Sequence, residues 1–361
     1  MIYYVGFEEY SGKNRSKTAG AKAPNDIKAL CKARGYTFMP VKAITAQKLK
    51  AVQKVMAGIG FWKNVLKTLQ KGDVLIYQHP MYIGYLGSRY MDAIQKKGIR
   101  IVAVIHDLES LRRGIEGEMA NSEKKNNVME NLFLKRCDVV ICHNPIMKHY
   151  LVKKGFSEKN TITLGIFDYL IPNGFTERSR EKSNEVTIAG NLAEGKSGYI
   201  YKMIESIGDS NLKLHLFGVK FNEEKMTEQV QYHGAFPPDE VPNRLEGAFG
   251  VVWDGSEAST CAGNTGEYLR YNNPHKASLY LASGLPVVVW SQAAVARFVE
   301  QHKVGISVAS LADLSSAINQ LTDEEYHQIL ENVRRVGKWI REGHYFNEAM
   351  DQALQLLEVS Q

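Results

Sequence analysis

Residues 271–290, YNNPHKASLYLASGLPVVVW, decide how this chain folds, because they place a helix directly before a buried strand. Asn273 is a favourable N-cap, Pro274 suits the first position of a helix, and Gly284 marks its end. The valine-rich run that follows is typical of a strand buried on both faces. The segment therefore predicts one helix–strand unit of a parallel sheet.

The same alternation of strand and helix extends along the rest of the chain. A first series of strands is predicted at residues 2–7, 36–41, 73–78, 99–105, 138–143 and 161–167. A second series is predicted at residues 185–191, 212–218, 229–236, 249–255, 285–290 and 305–308. Strands that alternate with helices in this way form parallel sheets covered on both faces, so the fold class is α/β.

A polar, turn-rich stretch at residues 168–184, DYLIPNGFTERSREKSN, separates the two series of strands. We therefore predict an N-terminal Rossmann-like domain at 1–167, a linker at 168–184 and a C-terminal Rossmann-like domain at 185–322. Helices are expected over 323–361, a segment long enough to cross back to the N-terminal domain. Two such domains face each other across a cleft, where ligands usually bind.

The composition is that of an ordered globular protein, with 361 residues, 44% hydrophobic and 23% charged. No apolar run approaches the roughly 20 residues that a membrane-spanning helix needs. The N-terminal residues MIYYVGFEEY lack the features of a signal peptide, which predicts a cytoplasmic protein.

The charge is unevenly distributed. Residues 1–170 contain 28 Lys and Arg against 14 Asp and Glu, whereas the remainder contains 17 against 25. The basic first half predicts an anionic partner, either a diphosphate or the inner face of the cell membrane, although a solvated basic surface remains the alternative. Nucleic acid is not expected, because no recognition-helix or base-stacking motif is present.

The predicted helix N-terminus at His275 and Lys276 is a candidate phosphate site, because unpaired N–H groups and the positive end of the helix dipole attract anions. An ordinary capped helix is the alternative. A glycine-bearing loop after strand 185–191 and the end of the next strand are candidates for backbone contact with a phosphate, sugar or nucleobase, with plain turns and core packing as alternatives. The candidate contacts there are Gly190, Asn191, Lys196, Phe217 and Gly218.

Two further loops carry candidate binding residues. The long polar segment 253–276 offers Asp254 and Glu267 to sugar hydroxyls, unless they serve only as helix caps or solvated charges. The loop after the first strand lacks GxGxxG, which disfavours an NAD or FAD enzyme. Its small residues are instead candidates for contact with a donor phosphate, namely Thr18, Ala19 and Gly20.

Acid–base residues follow two neighbouring strands of the first series. His106 and Asp107 come after strand 99–105, and His143 ends the next strand. The carboxyl ends of parallel strands meet at one edge of the sheet, so these groups are candidates for taking a proton from an acceptor hydroxyl. A structural role for the histidines is the alternative. No Asp-x-Asp pair occurs in the chain, so neutralisation of a diphosphate is expected to need no metal, with Lys276 and Lys196 supplying the charge.

Several of these stretches together resemble a known family. VIHDLESLR (104–112), VVICHNPIMKHYL (139–151), IFDYL (166–170), AGNL (189–192), LFGV (216–219), WDG (253–255) and GEYLRYNNPHKASLYLASGLPVVVW (266–290) are similar to bacterial O-antigen β-1,6-galactofuranosyltransferases. More distantly, the chain resembles the GT-B glucosyltransferases that extend sugars on streptococcal serine-rich adhesins.

The resemblance implies a GT-B fold and a UDP-sugar donor, with UDP-galactofuranose as the first choice. It places Thr18 at the nucleotide and Lys276 at the diphosphate. A β-linked product from an α-linked donor implies inversion in one displacement, for which Asp107 is the expected base and His106 the second choice. The acceptor implied is a lipid-linked saccharide in cell-surface polysaccharide synthesis, and no cofactor is expected.

Other functions remain open from the sequence. Transfer of glucose or another hexose from UDP keeps the same mechanism, whereas a UDP-sugar 2-epimerase shares the double-Rossmann architecture but needs no acceptor. A non-catalytic scaffold is the third alternative. The sequence also leaves open whether the chain forms a homo-oligomer.

Overall fold

A computed structural model describes residues 1–8, 19–42, 50–114, 130–208 and 211–359. These residues contain two parallel sheets of six strands each. The first sheet has the order β2-β1-β3-β4-β5-β6. Its strands are β1 (Ile2–Phe7), β2 (Thr37–Val41), β3 (Val74–His79), β4 (Arg100–Ile105), β5 (Val139–Cys142) and β6 (Thr161–Thr163).

The second sheet has the order β12-β11-β10-β7-β8-β9. Its strands are β7 (Glu185–Asn191), β8 (Lys213–Val219), β9 (Val230–Gly234), β10 (Phe249–Val252), β11 (Val287–Trp290) and β12 (Gly305–Val308). Each predicted strand overlaps an observed one. The largest difference is β6, which ends at Thr163 and not at residue 167, because Gly165 turns the chain at a φ of 87°.

Helices connect the strands in both sheets. They are α1 (Lys22–Ala33), α2 (Lys50–Thr68), α3 (Gly84–Gly87), α4 (Met91–Lys97), α5 (Glu109–Gly114), α6 (described part 130–134), α7 (Pro145–Lys153), α8 (Glu194–Ser206), α9 (Gly263–Tyr268), α10 (His275–Ala282), α11 (Ala296–His302), α12 (Leu314–Gln320), α13 (Asp323–Glu342) and α14 (His344–Val359). None of the helices in these described ranges combines the length and apolarity needed to cross a membrane.

The start of α10 differs from the sequence expectation by one residue. Its N-cap is Pro274, with an extended ψ of 136°, and the helix begins at His275. Asn273 therefore does not cap it. The amide of Asn273 is buried and donates a hydrogen bond to the carbonyl of Gly165 over 2.5 Å.

The described residues form two compact units. Among these residues, one unit draws on 1–8, the described parts of 24–164, and 346–359, and the other draws on 19–23 and the described parts of 165–345. The C-terminal helices are therefore divided, since α13 belongs to the second unit and most of α14 to the first. Arg34, the residue after α1, anchors α14 by a hydrogen bond to Asn347 and an ion pair with Asp351.

The core of each unit is built from the apolar strands and the helices on them. In the first unit Trp62, Tyr77 and Phe133 are fully buried and pack ring against ring. In the second, α13 buries the apolar stripe that its sequence predicts, and the capping box of Thr322 fixes where this helix starts. That stripe comprises Ile329, Val333, Val336 and Ile340.

Candidate functional site

The ends of β7 and β8 come close together in the second unit. Gly190 is the register partner of Gly218, and a Cβ on Gly218 would lie 1.8 Å from the carbonyl oxygen of Gly190. Only glycine fits there. Gly190 itself has a φ of 138°, and its missing side chain leaves room for Lys276, whose Cε lies 3.4 Å from the position of a Cβ. The side chain of Lys276 therefore packs against the backbone of Gly190, where no side chain intervenes.

Lys276 lies in the first turn of α10 and is half-buried. Its ammonium donates to the carbonyl of Trp253 over 3.2 Å, which is its only hydrogen bond within the described residues. Burial, together with the like charge of Lys196, lowers the pKa of Lys276, while Asp254 acts in the opposite direction. An ammonium has three donors, so two remain for an anion beside the N–H groups of the helix end.

Asp254 lies beside this lysine, and both of its carboxylate oxygens already accept hydrogen bonds. Its two oxygens accept from the ammonium of Lys196 at 2.9 Å each, and Oδ1 also accepts from the Gly255 amide and, over 3.2 Å, from the Thr265 hydroxyl. The charge of Lys196 is therefore offset by Asp254. Of the two predicted lysines, only Lys276 forms no salt bridge within the described residues.

His275 points away from this group. Its ring stacks on Tyr169 with centroids 5.0 Å apart. Burial lowers the pKa of His275 to about 4, although a hydrogen bond to the backbone of Asp168 acts in the opposite direction. The ring is neutral at pH 7, so the expectation that His275 adds positive charge at the helix end does not hold.

Glu267 lies one helix earlier, in α9, and is paired with Arg270 over 2.6 Å. The charges of Glu267, Asp254 and Lys276 all act on the buried thiol of Cys261, whose pKa burial raises to about 12. These three predicted residues therefore converge on one place in the second unit.

Asn191 and Phe217 do not join them. Asn191 is exposed, and its side chain accepts from the amide of Ala193, which forms a local turn. Phe217 is only 2% exposed, and its ring lies parallel to that of His233 with centroids 4.2 Å apart. Its contacts are those of a core residue, the alternative to stacking on a nucleobase.

The loop after β1 is described only from Ala19 onward, so Thr18 lies outside the described residues. Ala19 and Gly20 form a short turn before α1, and Gly20 is exposed. The next residue with a clear contact is Lys22, whose buried ammonium donates to the Leu170 carbonyl over 2.6 Å and pairs with Asp239 over 2.7 Å.

In the first unit, His106 and Asp107 follow β4 as predicted. The Nε2 of His106 donates to Oε1 of Gln78 over 2.8 Å, because that oxygen can only accept. The amide of Gln78 is held by carbonyls of Val5 and Pro24, so the ring of His106 is fixed as well. Asp107 is 31% exposed and pairs with Arg112 over 2.9 Å. Both side chains are at least partly accessible.

His143 has a different environment. It is 1% exposed, and burial lowers its pKa to about 4, against the effect of hydrogen bonds to the backbone of Ile105 and His106. The buried, neutral ring connects the ends of β4 and β5. This enclosure argues against direct contact of His143 with an acceptor and favours a positioning role.

A histidine–glutamate pair lies at the same sheet edge. His79 ends β3, and its Nε2 is 2.7 Å from Oε1 of Glu130. The carboxylate of Glu130 also accepts from the amides of Glu109 and Ser110 at the start of α5. Burial opposes ionisation of Glu130, but the hydrogen bonds from His79 and Ser110 outweigh it, so its pKa is lowered.

Comparison with known proteins identifies the family. Residues 8–166 match the N-terminal domain of the family described as glucosyltransferase 3-like, and residues 186–353 match its C-terminal domain. The β-1,6-galactofuranosyltransferase WbbI of Escherichia coli is 32% identical over 307 residues, which is 84% of this chain and 85% of that protein. The chain belongs to the glucosyltransferase 3-like family. It is a glycosyltransferase.

A second relative of this chain is the glucosyltransferase 3 of Streptococcus gordonii. The two are 23% identical over 92% of this chain and 93% of that protein. Among solved structures, the lipopolysaccharide outer core galactosyltransferase WaaB superposes with a TM-score of 0.57 at 12% identity, covering 97% and 98% of the two chains. The HepE protein of Anabaena, solved with UDP and glucose, superposes with a TM-score of 0.58 at 13% identity, covering 99% of this chain and 98% of HepE. The glucosyltransferase 3-like chain thus has the GT-B fold of two Rossmann-like domains.

The sequence analysis did not predict two residues of the site region, His79 and Lys22, for different reasons. His79 follows the apolar run of β3 as His106 follows that of β4, so the strand-end rule finds it once the strand is extended by one residue. Lys22 has no such signal. Its partners are about 150 and 220 residues away, and only the tertiary fold brings them together.

Proposed function

We propose that this glycosyltransferase takes a hexosyl group from a UDP-sugar and transfers it to a sugar acceptor of a cell-surface polysaccharide. UDP-galactofuranose is the donor that we favour. The relative with 32% identity, named for β-1,6-galactofuranosyl transfer, supports that choice.

The observation that carries the proposal is the position of Lys276. Its ammonium has donors to spare, stands at a helix N-terminus and lies against the bare backbone of Gly190. A diphosphate fits this arrangement, because its charge meets a lysine, the helix dipole and close backbone at once. The site as proposed needs no metal ion.

For the transfer step we assign Asp107 as the base. Its carboxylate is accessible, and Arg112 orients it. The acceptor oxygen attacks the anomeric carbon, the bond from that carbon to the UDP oxygen breaks, and the proton of the hydroxyl passes to Asp107. One displacement of this kind inverts the anomeric configuration. His106, held by Gln78, is the second candidate.

The donor is tested by incubating the protein with UDP-galactofuranose, UDP-galactose and UDP-glucose, each with and without a lipid-linked saccharide acceptor. We expect release of UDP only when acceptor and UDP-galactofuranose are both present, and a β-linked product by NMR. Turnover of a donor without acceptor would point to a 2-epimerase. No turnover of any donor would favour a non-catalytic protein.

Transfer of glucose is the second candidate, favoured by the name of the family and by the streptococcal relative. The same experiment separates the two. A rate with UDP-glucose above that with UDP-galactofuranose would replace the preferred donor and leave the mechanism unchanged.

A lipid-linked acceptor also requires contact with the inner face of the membrane, for which we propose the basic first half of the chain. Each Lys or Arg near an anionic surface contributes about 1 kcal/mol. Co-sedimentation with phosphatidylglycerol vesicles should therefore occur at low salt and disappear at high salt. Binding that persists in high salt, or no binding at all, would contradict an electrostatic attachment.

A further inference from the structure

A second cluster of ionisable residues lies in the second unit, outside the group around Lys276. His215 is in β8, His233 is in β9, and Glu246 comes shortly before β10. One ligand atom from each of the three lies within 4.8 Å of the others. Glycosyl transfer as proposed uses none of them.

The distances match those of a shared metal ion. Nδ1 of His215 is 3.1 Å from Nε2 of His233 and 3.7 Å from Oε2 of Glu246. Zinc binds imidazole nitrogen and carboxylate oxygen at about 2.0–2.2 Å, so two ligands in a tetrahedral arrangement lie roughly 3.3 Å apart. Without a metal, the two rings share one proton, which an ion at the same place replaces.

Glu185 sets the orientation of His215 from the side of the ring that faces away from His233. Its Nε2 is 3.3 Å from a carboxylate oxygen of Glu185, whose other oxygen pairs with Lys213 over 3.2 Å. This fixes the proton on Nε2 and leaves the lone pair of Nδ1 facing His233. A carboxylate behind a ligating histidine is the usual outer partner of a zinc site.

The backbone also places the other two ligands. The register between β8 and β9 shifts from Leu216↔Tyr232 to Phe217↔Gly234, which makes His233 the extra residue of a bulge. Bulges re-aim side chains, and the ring of Phe217 holds the one at His233 in place. The carbonyl of Glu246 accepts a hydrogen bond from the Thr187 hydroxyl, which anchors the third ligand to β7.

We propose that His215, His233 and Glu246 bind one divalent metal ion of the zinc type. His215 is buried, His233 is half-buried and Glu246 is exposed, so the fourth position opens toward solvent and takes water. The ion ties the edge strand β9 and the segment before β10 to β8. The site does not depend on the proposed glycosyl transfer.

The test uses the full chain without an affinity tag, stripped with a chelator and titrated calorimetrically with ZnCl₂. We expect one Zn²⁺ per chain, and with CoCl₂ the visible absorption of a tetrahedral Co²⁺ ion. H233N and E246Q should each abolish this binding. E185Q, which changes only the outer partner, should weaken it about 10- to 100-fold.

H149N is the matched control, because His149 is exposed on α7 in the first unit and should leave zinc binding unchanged. Circular dichroism establishes that each variant is folded, and E246Q alters an exposed side chain that the core does not need. Absence of zinc binding in the wild-type protein would overturn the proposal. Equal binding by wild type, H233N and E246Q would overturn it as well.

Discussion

The two units carry different chemistry at the carboxyl ends of their strands. In the second unit, Lys276 has no carboxylate partner among the described residues and lies against Gly190. In the first unit, the acidic and basic groups are paired, as in Asp107 with Arg112 and His79 with Glu130. A cation with spare donors suits anion binding, whereas oriented carboxylates and imidazoles suit proton transfer.

The difference assigns one half of the proposed reaction to each unit. Substitution of Lys276 should alter affinity for UDP, and substitution of Asp107 should alter only the rate of transfer. A variant that affects both quantities equally would remove the distinction.

The largest effect is expected from Asp107→Asn. The amide keeps the shape of the carboxylate but cannot take a proton, so the transfer rate should fall by roughly 10²- to 10⁴-fold while UDP affinity stays unchanged. Initial rates and calorimetric titration with UDP measure the two quantities. Asp92→Asn is the matched control, because Asp92 also pairs with an arginine but is exposed on α4. Transfer at the wild-type rate by Asp107→Asn would move the base to His106.

Acid should destabilise both units through one histidine in each. His143 and His275 have pKa values lowered by burial to about 4, whereas an unfolded histidine titrates near 6.5. Between these two pKa values the histidines are protonated in the unfolded state and neutral in the folded state. Stability is complete above pH 6.5 and falls as the pH drops toward 4, by on the order of 3 kcal/mol for each ring.

Urea unfolding at pH 7.5 and pH 5.0 measures this loss. His143→Gln and His275→Gln should each reduce the difference between the two pH values, whatever they do to stability itself. His149→Gln, at an exposed position, should leave the difference unchanged. An unaltered pH dependence in the first two variants would show that these rings are protonated in the folded protein.

A smaller effect, on UDP affinity, is expected from Lys276→Ala. A hydrogen bond from a charged group to phosphate contributes about 1.5–3 kcal/mol, so affinity for UDP should fall roughly 10- to 150-fold. The fold should persist, because the side chain is half-buried and its only hydrogen bond among the described residues is to the carbonyl of Trp253. Lys202→Ala, which changes an exposed lysine of α8, is the control. An unchanged dissociation constant would make Lys276 an ordinary surface cation.

The strands, their order along the chain and the position of Lys276 in the first turn of a helix were predictable from the sequence, because apolar runs and helix-start signals are local. The pairing of Lys196 with Asp254 was not. β7 lies next to β10 in the sheet, so the loops that follow these two strands meet although 58 residues separate the two side chains. That neighbour relation is a property of the sheet order.

The same reason explains the differences at Phe217 and His275. Phe217 ends a strand as a ligand-stacking residue would, but the adjacent strand β9 supplies His233 to cover its ring. His275 lies in the first turn of α10 as expected, yet its ring stacks on Tyr169 from the segment before β7. Both outcomes depend on partners that no local pattern specifies.

The proposal that UDP binds without a metal ion can be tested directly by calorimetric titration of the wild-type protein with UDP in the presence of EDTA. We predict the same dissociation constant with EDTA as with added Mg²⁺ or Mn²⁺, because the proposed site neutralises the diphosphate with Lys276 and the N-terminus of α10. The His233→Asn variant should give the same result, which separates the donor site from the proposed zinc site. Binding of UDP that disappears in EDTA and returns with Mn²⁺ in both proteins would contradict the proposal of a metal-free donor site.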